Sequence, residues 1–149
     1  MSRVVSKKRI NWNANWDVSQ DINEMAKLLV REIKFGLNTK TDVNDRKFKR
    51  LKLATVKSKK RKGYAQPSTP LIATGRMREI YVKKKATKTN LRAIISPAQD
   101  RVIIGYLHNI GEGSLPQRKW FGISDKAHQV MKSTWNRRLA ELLRLRRGS

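Results

Sequence analysis

The chain has 149 residues, no cysteine and no apolar run near the roughly 18 residues that a membrane span needs, a profile expected of one soluble intracellular domain with one modest core. Thirty-five Lys and Arg stand against eleven Asp and Glu, and the net charge of +24 creates enough self-repulsion that a polyanion or an acidic protein surface is expected nearby. Without thiols this sequence can form neither disulfides nor Cys-based zinc sites, and its two histidines, His108 and His128, are too few for an independent zinc site.

Residues 1–16 are basic and polar, show no helical or strand period, and lack the apolar stretch of a signal peptide. They read as an N-terminal arm, with Trp12 and Trp16 expected to dock on a neighbour or on the domain itself, because indole rings are costly to leave in water. Residues 17–149 then read as a single domain. Ile22, Met25, Ala26, Leu29, Val30, Ile33 and Leu37 recur every three or four positions, which predicts an amphipathic helix packed on a core. Asp17 with Gln20 has the spacing of a capping box, Ser19 is an alternative cap, and Gly36 marks the expected end.

Residues 38–70 form a basic, extended segment within the domain, part of which could be helical. Arg46, Lys47, Lys49, Arg50, Lys52, Lys57, Lys59, Lys60, Arg61 and Lys62 follow one another with no acidic residue between them. Phe48, Leu51, Leu53 and Val56 are its expected apolar anchors. Pro67 and Pro70 impose an extended path into Leu71 and Ile72, and Thr74-Gly75 reads as a turn or helix cap.

Three runs rich in β-branched and aromatic residues follow, Ile80–Lys83, Leu91–Ser96 and Arg101–Tyr106, the last two joined across residues 97–100 in the manner of a hairpin. They predict a small antiparallel sheet. Residues 108–122 read as a loop punctuated by Gly111, Gly113, Pro116 and Gly122. Ser124 then caps a second helix, in which Ala127, Val130, Met131, Trp135, Leu139, Leu142 and Leu143 recur at helical spacing and whose last turn is rich in Arg. The expected fold is α+β, two amphipathic helices packed on a small antiparallel sheet, with the basic extended loop and the arm.

Chemistry has few footholds here. His108 is the obvious candidate base, but its nearest acid in sequence, Glu112, lies in a Gly-rich loop without a nucleophile elbow or paired carboxylates, so His108 is expected to shape that loop. A nuclease would want clustered carboxylates around a divalent ion, and the eleven acids are scattered. The glycines of GEGSLPQRKWFG lack the spacing of a phosphate-binding loop. Pro116, Arg118, Trp120 and Phe121 are instead expected to lock the segment, by stiffening the backbone, filling an apolar site and hydrogen-bonding carbonyls or a carboxylate. No catalytic residue, metal or cofactor is expected. For Lys57, Lys59, Lys60, Arg61 and Lys62 three readings stay open: a solvated face, contact with DNA phosphates, or docking on an acidic partner.

PSTPLIATG at residues 67–75 and YLHNIGEGSLPQRKWFG at 106–122 resemble the PLI-x-TG and H-x-x-G…P-x-R-x-(F/W)-x-G elements of the virion morphogenesis (tail completion) proteins of tailed bacteriophages. The order of parts is also similar over roughly residues 18–145, while Met77, Glu79 and Gln117 depart from the family's usual residues. The resemblance implies a structural virion protein of the head–tail junction (neck, tail completion or tail terminator), assembled in the host cytoplasm. It also implies a homo-oligomeric ring around the DNA channel, six copies being favoured and twelve the alternative, touching neck, portal-adaptor or tail-tube proteins and, non-specifically, genomic DNA. Its motif residues are Pro70, Leu71, Thr74, Gly75, His108, Gly111, Pro116, Arg118, Trp120, Phe121 and Gly122. The alternative from another class is a non-specific basic nucleic-acid-binding protein, which would have no reason to carry those two segments.

Overall fold

The computed structural model describes residues 17–147, so the arm with Trp12 and Trp16 lies outside the described residues. The first helix, α1, spans Ser19–Thr39 and buries Ala26, Leu29, Ile33 and Leu37, the inward part of the expected stripe. The capping box does not form. Asp17 instead accepts the Ser19 backbone N–H at 3.0 Å together with the Ser19 hydroxyl, and this partnership holds its carboxyl below the usual range. Gly36 is not the last residue of α1 either, because a glycine inside a helix costs only about 1 kcal/mol against alanine and the next residue, Leu37, is almost fully buried. The turn comes at Lys40, in the left-handed conformation, whose N–H returns to the Gly36 carbonyl.

Within the basic segment a short helix, α2, spans Leu53–Arg61 and buries none of its residues. Phe48 is buried and Leu51 and Val56 are half-buried, but Leu53 is 79% exposed and is no anchor. A 3-10 turn at Arg76–Arg78 leads into strand β1, Ile80–Lys84, which pairs antiparallel with β2, Ile94–Pro97. Ile80 faces Pro97, Tyr81 faces Ser96 and Val82 faces Ile95, with a register shift before Lys84 faces Ile94. The connection between the strands is tied to α1 by Asn23, whose amide donates to the Ala86 carbonyl at 3.0 Å and accepts its N–H at 2.7 Å.

The third expected strand does not exist: residues Val102–Ile110 form helix α3, preceded by a 3-10 turn at Gln99–Arg101. Residues 97–100 are therefore a strand-to-helix junction and not a hairpin. His108 to Ile110 belong to the last turn of α3, not to a loop. Gly111 ends the helix with φ of 79°, its N–H and that of Glu112 both donating to the Leu107 carbonyl, at 2.9 and 3.2 Å. The last helix, α4, spans Asp125–Arg147 and is capped as expected, the Ser124 hydroxyl accepting the Ala127 N–H at 2.9 Å.

The architecture is α+β: among the described residues, four helices and one two-stranded antiparallel sheet. Helix α1 packs on both strands and α3 on β2. Helix α4 meets α1 through the Arg138–Asp21 ion pair at 3.3 Å and a cleft that brings Met25 and Leu28 toward Val130 and Met131. Its apolar stripe is covered only in part, since Ala127 is fully buried while Val130, Trp135 and Leu143 stay exposed. The core is built from Ile33, Leu37, Phe48, Met77, Ile80 and Trp120, so the segments outside regular structure contribute as much to it as the helices.

Candidate functional site

Both motif segments reach this core, the second through buried Trp120, with Leu71 of the first and Phe121 of the second partly buried against it. The second begins within α3, and its later stretch, residues 118–121, is fastened back onto that helix. The Arg118 N–H donates to the His108 carbonyl at 2.8 Å, and the Trp120 indole N–H donates to the Gly105 carbonyl at 2.9 Å. The Asn109 side chain closes a two-bond clip on Phe121, accepting its N–H at 3.2 Å and donating to its carbonyl at 3.1 Å. Trp120 and Phe121 meet edge to face with ring centroids 5.4 Å apart. Two glycines make this contact possible: a Cβ on Gly105 would lie 2.6 Å from Trp120 Cζ2, and one on Gly111 would lie 2.8 Å from Gln117.

Arg118 does hydrogen-bond a backbone carbonyl, while its Nε finds no partner among the described residues. The residue is 3% exposed, donates from Nη2 to the Lys49 carbonyl at 3.1 Å, and burial draws its pKa down. The Val43 N–H bonds to the Lys119 carbonyl at 2.9 Å, so the same short stretch joins α3 on one side and the turn after α1 on the other. Pro116 and Gly122 are half-buried at its two ends.

In the first segment, Thr69, Pro70 and Ile72 are buried and Leu71 between them takes a left-handed backbone with φ of 60°, a conformation that a bulky residue adopts at a cost. The brace comes from α2. The Lys59 ammonium has three N–H donors and three carbonyl partners, Gln66 at 3.3 Å, Thr69 at 2.7 Å and Ile72 at 2.5 Å, two of which flank Leu71. Its donors are thus directed at carbonyls of its own chain, which sets Lys59 apart from the other cations expected to contact DNA or an acidic partner, and burial draws its pKa down. Thr74 is exposed, and Gly75, with φ of 85°, opens the 3-10 turn that follows.

Between α2, the first segment and α3 lies a cavity of about 250 Å³ whose wall includes Lys59, Leu71, Met77, Arg101, Ile104 and His108. His108 is half-buried, its Nδ1 has no hydrogen-bond partner within the described chain, and burial, then the Arg118 charge, pull its pKa below the usual range. Among the described residues no carboxylate lines this cavity, and no group of three or more His, Asp and Glu able to hold a metal occurs. Lys57, Lys60, Arg61 and Lys62 are exposed on and just after α2, as are Arg46, Lys47, Lys49, Arg50 and Lys52 before it, leaving a cationic surface beside the braced core.

Sequence reasoning had passed over Gly105, Asn109 and the role of Lys59. Gly105 left a signal, a glycine inside the apolar run VIIGYL, which marks close backbone approach. No family model, curated protein or solved structure matches the chain.

Proposed function

We propose that this chain is a structural protein of the head–tail junction of a tailed bacteriophage, a neck or tail-completion component that forms a ring around the DNA channel and joins head to tail. The observation that carries the reading is the resemblance of the segments at 67–75 and 106–122, in the same order along the chain. Their packing supports it. Arg118, Trp120, Phe121 and Leu71 serve as braces of one core, which suits a part whose task is to hold a shape under load. In this reading the chain carries no turnover. Its copies, six being favoured over twelve, contact neck, portal-adaptor or tail-tube proteins, while Lys57, Lys60, Arg61 and Lys62 face DNA phosphates or an acidic neighbouring ring.

Removing the chain from an infection tests the proposal. Electron microscopy should then count filled heads and tails that remain unjoined, restored to whole particles when the chain is supplied again. Whole, infectious particles formed without it would contradict the reading.

A further inference from the structure

Helix α3 turns one side to the core, and none of the described residues covers the other. At 3.6 residues per turn Ile103, Tyr106 and Ile110 fall within about 60° of one another, on the side away from Gly105. Gly105 is the buried residue of the helix, pressed against Trp120, whereas Ile103 is 74% exposed, Tyr106 62% and Ile110 40%. The whole helix, VIIGYLHNI, carries no Lys, Arg, Asp or Glu, in a chain where 35 of 149 residues are cations.

We propose that this outward face of α3 is where one copy of the chain meets the next. The proposal rests on the ring reading above and gives that ring its contact surface. Charge selects the occupant. DNA or an acidic protein gains by covering cations and would settle on the α2 surface, with nothing to pair with on α3. Two copies each carrying +24 repel one another wherever their cations face, and α3 offers them an apolar surface on which no like charges meet. Contacts between copies of one chain default to closed symmetry, which a ring satisfies.

This contact has an unusual salt signature. Screening shortens from about 30 Å at 0.01 M to about 8 Å at 0.15 M ionic strength, so added salt removes the repulsion and leaves the apolar attraction. Sedimentation velocity of the full chain, treated with nuclease so that no polyanion bridges the copies, should show association that tightens from low to physiological salt. Ile103→Lys and Tyr106→Lys, both on exposed positions, should each raise the concentration of half-association by about tenfold or more while leaving thermal unfolding unchanged. A chain that stays monomeric at every concentration and salt would mean that something else covers α3, its own residues 1–16 or a different partner, and would overturn the proposal. Association that weakens with salt, or that ignores both substitutions, would overturn it too, the latter leaving the ring reading in place with another surface. Salt-tightened association through α3 in a chain absent from virus particles would keep the contact and sink the head–tail reading alone.

Discussion

Trp120 and Gly105 form one joint: the indole N–H donates to the glycine carbonyl at 2.9 Å, and the ring occupies the space that a side chain on Gly105 would need. The joint determines how α3 sits, because the other bonds from the 118–121 stretch, to His108 and Asn109, follow along the same helix. It also sets which side of α3 is left outward.

Gly105→Ala should therefore destabilise the protein although alanine is the better helix former. The propensity gain is about 1 kcal/mol and overpacking costs about 1–3 kcal/mol; with Trp120 only 3% exposed and unable to retreat, the net loss should lie in the upper part of the resulting range, up to about 2 kcal/mol. Urea unfolding gives the number. In a Trp120→Leu background the same substitution should cost less, and the double-mutant cycle reads the coupling directly.

Lys59→Met should cost about 1–3 kcal/mol, since it strips the charged donor from the Gln66, Thr69 and Ile72 carbonyls around the left-handed Leu71. Lys57, Lys60, Arg61 and Lys62 changed together to Gln should behave oppositely, leaving unfolding within about 0.5 kcal/mol per site. Binding to DNA or an acidic partner should weaken in that quadruple variant and its salt dependence become shallower. A per-site effect of the quadruple change equal to that of Lys59→Met would refute the separate role given to Lys59.

His108 should make stability depend on pH with a definite sign. Its folded pKa lies below the unfolded value of about 6.5, so the unfolded chain takes up the proton first as pH falls. Stability from this group is thus constant above about pH 6.5 and declines as pH drops from there toward the folded pKa. His108→Gln should flatten that part of the curve in thermal melts between pH 7 and 5. An unchanged slope would mean that other groups carry it.

The helices α1 and α4 were legible because their apolar residues keep a period that only a helix satisfies, and Ser124 announced its own cap. Helix α3 was not, because Val102, Ile103, Ile104 and Tyr106 have strand preferences that a nine-residue window cannot overrule. The contact that covers the buried Gly105 of α3, with Trp120, spans fifteen residues of sequence. Arg118 and Trp120 were recognisable as locks from their residue types, but the carbonyls they hold, Lys49 and Gly105, were not. Lys59 was concealed among identical neighbours: nothing in KSKKRK distinguishes the one lysine that turns inward from those that stay in water.

The most direct test of the head–tail assignment is the number of copies of this chain in purified virus particles, counted by quantitative mass spectrometry against a capsid or tail-tube protein of known number. A ring in the neck requires a fixed multiple, six by preference or twelve. Absence from particles, or a single copy in each, would contradict it.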